Sequence, residues 1–236
     1  MSTESTIAII AARGGSKGIP KKNLINFCGH PLIAWSIRQA LNCEYIKSVW
    51  VSSDDKDILD ISKKYGANAL LRPDELSSDT STSESAWLHI LDFISSQTDL
   101  APDKIVALQA TSPLRSSEDL TNALKLFDAK NYDSLLSVSE VEDFFNWKLN
   151  NLNQFQPINY DYKFRKPRQL LEKHYLENGS FYIFKPSLIK TTSNRLGGHI
   201  GYYVMDKYKM FQIDNIEDLK LCSVLMTNYD LDLVIG

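Results

Sequence analysis

Cysteine is scarce. Cys28, Cys43 and Cys222 are the three in 236 residues, scattered and without CxxC spacing. That argues against a disulfide framework and against a cysteine-rich zinc site. The four histidines (His30, His89, His174 and His199) are isolated and form no HExxH-type pair, so they read as structural or surface residues. Positive charge is not in excess either. The formal net charge of −3 argues against a sequence-independent nucleic-acid binder. No apolar run is long enough to span a bilayer, and MSTESTIAII lacks the basic start and the long apolar stretch of a signal peptide. The expectation is a reduced, cytoplasmic protein with no membrane and no nucleic-acid partner. GxxxxGK[ST] and GxGxxG are both missing, which disfavours a P-loop NTPase and an NAD enzyme.

What the chain does have is 43% hydrophobic residues, enough for a substantial core in one α/β domain, or one domain with an appended arm. The apolar run Ile7 to Ala12 reads as a buried strand, and RGGSKGIPKKN (Arg13 to Asn23) follows it directly. Gly14, Gly15 and Gly18 allow the backbone to turn tightly and bring its N–H groups close to an anion. Arg13, Lys17, Lys21 and Lys22 supply the charge a polyphosphate needs, and Pro20 stiffens the exit. A solvated basic turn is the plainer alternative. Three glycines behind a buried strand favour a nucleotide triphosphate.

Strands and helices then alternate. Periodicity predicts helices over 32–41, 57–65, 85–95 and 117–129, and strands over 48–52, 69–71, 104–109 and 134–138. This rhythm predicts a doubly wound, mostly parallel sheet with helices on both faces and a ligand at the carboxyl ends of the strands. The chemically suggestive loops 13–23, 52–55, 72–83 and 109–115 all follow strands. From about 140 to 177 the rhythm breaks into an aromatic-rich segment, read as a β-rich arm reaching toward a partner subunit. A strand over 179–184, another over 202–204 and a closing helix from 217 complete the reading.

IIAARGGSKGIPKKN, GHPLIAWSI, VSSDD, RPDELSSDTSTS, LQATSPLR, KPRQ, ENGSFYIF and QIDNIEDL occur in that order. Together they resemble the acylneuraminate cytidylyltransferase family, the CMP-sialic acid synthetases. The resemblance covers nearly the whole chain and is weakest between Glu140 and Tyr162. It implies a Rossmann-like nucleotidyltransferase domain over 1–236, with a dimerisation arm at about 140–177. It also implies transfer of CMP from CTP to the anomeric hydroxyl of a sialic-acid-like keto sugar acid, release of pyrophosphate, a Mg²⁺ cofactor and a homodimer.

By the same resemblance Arg13 and Lys17 hold the triphosphate, with Gly14, Gly15 and Ser16 in the same loop. Lys22 stabilises the α-phosphate and Asn23 bonds the ribose or phosphate region. Arg72 and Ser83 belong to the cytosine pocket, Gln109 to the sugar, and Arg168, beside Arg165, to its carboxylate. Tyr182 packs on the sugar or its N-acyl group, with an ordinary core tyrosine as the other reading. Lys148 crosses the dimer interface. Where the family has two aspartates one residue apart, this chain has Gln212-Ile213-Asp214, leaving Asp214 as the metal ligand. Asp218, one turn on, reads as a helix-start charge. Legionaminic, pseudaminic and Kdo-type acids stay open as acceptors, and so does a catalytically inactive nucleotide-binding homologue.

Overall fold

The computed structural model describes residues 5–16, 18–78, 80–142 and 145–235, and only the backbone of Arg168, Val234 and Ile235. The strands in chain order are β1 (Thr6–Ala11), β2 (Asn26–Phe27), β3 (His30–Pro31), β4 (Ile46–Ser53), β5 (Asn68–Leu71) and β6 (Lys104–Leu108). They continue with β7 (Ser134–Val141), β8 (Trp147–Leu149), β9 (Phe155–Pro157), β10 (His174–Phe184) and β11 (Ile200–Met205). The α-helices are α1 (Leu32–Leu41), α2 (Lys56–Lys64), α3 (Ser83–Gln97), α4 (Ser117–Ala129), α5 (Pro186–Thr192) and α6 (Ile216–Asn228).

Seven strands form one sheet in the order β5-β4-β1-β6-β10-β7-β11. β10 alone among them runs antiparallel to its neighbours. The expected doubly wound, mostly parallel sheet is what the chain forms. β1 and β6 are buried on both faces, which explains why each reads as a continuous apolar run. Ala8, Ile10, Val106 and Leu108 pack with residues of α1, α2 and α4. Their neighbours Ile7, Ile9, Ile105 and Ala107 face α3 and α5. A third cluster joins Trp35 of α1 to Cys222 and Met226 of α6.

Helix starts are capped by their own sequence. Asp55 accepts from the N–H groups of Asp57 and Ile58, and Ser116 with Asp119 and Asn215 with Asp218 form reciprocal capping boxes. Two short elements escape the sequence reading. β2 and β3 form a hairpin around Cys28 (φ 47°) and Gly29 (φ 87°), the paired left-handed conformations of a type I′ turn. α5 has only seven residues, too few to show a helical period.

The chain order explains where a ligand fits. From β1 the chain builds outward through β4 to β5, then returns to place β6 on the other side of β1. Loops leaving β1 and β6 therefore diverge, opening a crevice at the carboxyl edge between them. The 140–177 segment is anchored by the ladder between β7 and β10, which reaches His174 opposite Val141. Beyond it β8 and β9 form a separate two-stranded ribbon. Trp147, Phe155 and Phe164 lie exposed on this arm.

Candidate active site

A cleft of about 520 Å³ occupies that crevice. The first loop contributes Arg13, Ser16, Gly18, Lys22 and Asn23, and Gln109 and Thr111 come from the end of β6. Ser83, in the first turn of α3, and Asp214 close the sides. A second, polar hollow holds Arg72 with the serine-rich loop, and shares Ala11, Arg13 and Ser83 with the first. Four loops separated by up to 200 positions in sequence thus meet where the topology requires.

Space, more than backbone freedom, explains two of the loop glycines. A Cβ on Gly14 would lie 2.7 Å from Asp55 Oδ2, and one on Gly18 would overlap the Asp214 carbonyl oxygen. The sequence reading had the Gly14 N–H free for an anion. Instead it donates to Asp54 Oδ1 at 3.0 Å. The same oxygen receives Arg72 Nη2 at 3.5 Å, so Asp54 ties the first loop to the Arg72 hollow. Asn23 is likewise committed on one side, its Nδ2 donating to the Arg13 carbonyl at 3.0 Å.

Lys22 Nζ lies 2.8 Å from Asp214 Oδ1, with the lysine side chain 14% exposed and the aspartate 70%. Three contacts set Asp214 there. Ile213 is fully buried, its N–H donates to the Thr111 carbonyl at 2.8 Å, and Asp218 Oδ2 accepts the Asp214 N–H at 3.0 Å. Asp218 is the helix-start charge the sequence suggested, and it also fixes the residue before the cap. Lys21 turns the other way and pairs with Asp57 at 2.9 Å on the surface of α2.

Arg72 is buried, and its Nε donates to Ser77 Oγ at 3.0 Å. Burial lowers its pKa, partly offset by Asp54. His89 on α3 has its pKa held below 6.5 by burial and then by the Arg72 charge. Asp54, in the 52–55 loop, and His89, read from sequence as structural or surface, were given no role at this hollow, because neither has a distinctive spacing.

Other sequence candidates fall elsewhere. Tyr182 is a correction: it sits 3% exposed in the core beside Trp87, with its hydroxyl donating to Glu177. Burial, then that carboxylate, pushes its pKa up to about 12. Lys148 lies exposed on β8, opposite Gln156 on the arm ribbon and outside the cleft of its own chain. Arg165 stacks on Phe145, 4.5 Å from the ring centre, also in the arm. The backbone of Arg168 lies in a short 3₁₀ turn there, and Lys17 lies outside the described residues.

Arg115, at the end of the 109–115 loop, is a fully buried hub. Its Nη1 donates to Ser36 Oγ at 2.9 Å and Gln39 Oε1 at 3.1 Å. Its Nη2 donates to the carbonyls of Gln109 and Ser180. Burial pulls its pKa down to about 9.

Comparison with known proteins agrees with this geometry. A family profile described as Cytidylyltransferase matches residues 7–231. N-acylneuraminate cytidylyltransferase A of Danio rerio is 37% identical over 210 residues, covering 88% of this chain and 47% of the relative. The chain therefore spans about half the length of that protein. Pseudaminic acid cytidylyltransferase of Campylobacter jejuni subsp. jejuni is 34% identical over 223 residues, covering 93% of this chain and 95% of the relative. A solved CMP:2-keto-3-deoxy-manno-octonic acid synthetase complexed with CTP superposes with a TM-score of 0.71 at 16% identity. That match covers 96% of this chain and all of the other, a likeness of fold alone. The profile match over residues 7–231, with the 34% identity to the pseudaminic acid transferase over most of both chains, shows that this chain belongs to the cytidylyltransferase family.

Proposed function

We propose that this protein transfers CMP from CTP to the anomeric hydroxyl of a sialic-acid-like keto sugar acid and releases pyrophosphate. The observation that carries the reading is the convergence of Arg13, Lys22 and Asp214 at the carboxyl edge between β1 and β6. Attack on the α-phosphorus spreads negative charge over phosphoryl oxygens, so fixed cations in a half-enclosed cleft are the main catalytic resource. Arg13, with Lys17, holds the triphosphate. Lys22 is shielded enough to act in a low-dielectric setting and is oriented by Asp214 before substrate arrives. The Arg72 hollow, with Ser83 at its mouth, takes the cytosine, and Asn23 faces the ribose. Gln109 meets the acceptor.

Among the described residues, no group of three or more His, Cys, Asp or Glu is placed to hold a metal ion. The single exposed carboxylate of Asp214 fits a Mg²⁺ ion that takes its other ligands from triphosphate oxygens and water. When bound, that ion neutralises phosphoryl charge. The arm, with Lys148, pairs two copies of the chain into a homodimer, and Arg168 in the arm takes the acceptor's carboxylate. Its exposed aromatic side chains are the reason, since an apolar ribbon of this kind is costly to leave in water. Light scattering at micromolar concentration tests this, and an active monomer would remove the arm from the reading. Among the described residues no helix is long and apolar enough to cross a membrane.

Pseudaminic acid is the second acceptor to consider, because the named transferase for it matches 93% of this chain and 95% of its own length. The deciding experiment measures pyrophosphate release from CTP with N-acetylneuraminic, legionaminic, pseudaminic and Kdo acids. No release with any of them would sink the proposal.

A further inference from the structure

β10 loses its register against β7 between Glu177 and Tyr182: Asn178 to Phe181 have no ladder partner there, and Asn178-Gly179-Ser180 form the bulge. Bulges of this kind re-aim backbone next to binding sites. This one is held from three directions. Inside, Asn178 is 1% exposed; its Oδ1 accepts from Ser137 Oγ at 2.6 Å and from the Ser180 N–H at 3.1 Å. From the β6 side, Arg115 Nη2 donates to the Ser180 carbonyl at 3.0 Å and also to that of Gln109. From the cleft side, Gln212 Nε2 donates to the Asn178 carbonyl at 2.7 Å.

Between these braces Gly179 adopts φ +63°. A Cβ there would lie 2.7 Å from Gln212 Nε2 and 3.3 Å from Gln109 Oε1. The bare backbone of Gly179 is therefore flanked by two glutamine amides, one of which, Gln109, lines the cleft. Position 212 is the one where the family resemblance leads one to expect an aspartate. A carboxylate has no proton to donate to the Asn178 carbonyl, and would set negative charge against it.

We propose that the Asn178–Ser180 bulge is a preorganised, uncharged buttress behind Gln109 on the acceptor side of the cleft, and that Gln212 and Arg115 are the positioning residues that brace it. Held by it, Gln109 presents an uncharged amide suited to the hydroxyl and N-acyl portion of a polyhydroxylated sugar acid, while the bulge residues stay buried behind it. The acid's own carboxylate is left to the cationic loops. This rests on the acceptor reading given under Proposed function. It explains why the chain carries an amide at 212, and why a fully buried guanidinium is kept on carbonyl oxygens despite its desolvation cost.

The test compares wild type with Gln212→Met, Gly179→Ala, Arg115→Lys and Arg115→Met by steady-state kinetics with each substrate varied. Gln212→Met keeps the side-chain volume and removes the donor. It should raise the acceptor KM about tenfold while the CTP KM moves less than about twofold, the loss of one buried bond confined to one wall. Gly179→Ala should do the same through the crowding described. Arg115→Lys should retain part of the acceptor affinity that Arg115→Met loses. If Arg115→Met does not fold, the other two positions decide. Equal rises in both KM values, or no change, overturn the proposal. Hydrogen exchange over residues 178–182 supplies a readout independent of turnover, expected to be about tenfold faster in Gln212→Met. Unchanged protection overturns the bracing. If wild type turns over none of the acids, the acceptor reading fails by itself, and the exchange comparison still decides whether Gln212 holds the bulge.

Discussion

Replacing Lys22 with alanine separates catalysis from binding, and the structure sets the expected sizes. The ammonium is 14% exposed, but its partner Asp214 is 70% exposed. A freed Asp214 carboxylate can be solvated where it stands, so the pair contributes no more than about 1 kcal/mol to folding. For a chain of this size that corresponds to a Tm loss of about 2–4 °C or less. The effect on reaction is larger. A fixed donor facing charge that grows only in the transition state is worth about 3–4 kcal/mol, or roughly 10²–10³ in kcat. On the proposed function, Arg13 and the Arg72 hollow hold ground-state CTP without Lys22, so its KM should change less than about threefold. The assay is CTP-dependent pyrophosphate release at saturating acceptor, with a thermal melt of the same preparation. A raised CTP KM with intact kcat would make Lys22 a binding residue. A melt lowered by ten degrees or more would make it a structural one, on the same size scaling. Either result refutes the argument.

Three other outcomes are expected. Asp214→Asn should abolish Mg²⁺-dependent turnover, read by titrating Mg²⁺ against rate; wild-type behaviour would place the metal elsewhere. Gly18→Ala should lower both Tm and activity, because its Cβ cannot share space with the Asp214 carbonyl, and a variant melting with wild type would contradict that packing. Asp133 accepts the His199 N–H and the Lys185 ammonium, which together lower its pKa from 3.8. A depressed carboxyl stabilises the fold above its unfolded pKa and loses that contribution as pH falls through its folded value. The Tm gap between wild type and Asp133→Asn should therefore be full at neutral pH and shrink as pH drops below about 3.8; a gap that widens in acid would reverse the sign.

Much of the fold could be read from local pattern. β1 and β6 are buried on both faces and so are written as unbroken apolar runs, while α1 and α4 carry their period and boundaries in their own residues. The glycine- and lysine-rich stretch after β1 marked out a loop that lines the cleft, as the loops at strand ends in such sheets do. What tertiary structure decided is which of those residues face the site and which face one another. Lys21 and Lys22 are neighbours in sequence. Yet a left-handed Lys21 (φ 50°) sends one side chain to Asp57 on α2, while the other meets Asp214, 192 positions away. Tyr182 looked equally suited to sugar or core. The alternation of β10 sends Phe181 to one face and Tyr182 to the other, where Trp87 covers it. The amide at 212 read as a lost carboxylate until the bulge in β10 showed the carbonyl it serves. Local sequence determines periodicity, caps and charge density, because those depend on neighbours along the chain. Partner choice across loops depends on strand order and register, which no single segment encodes.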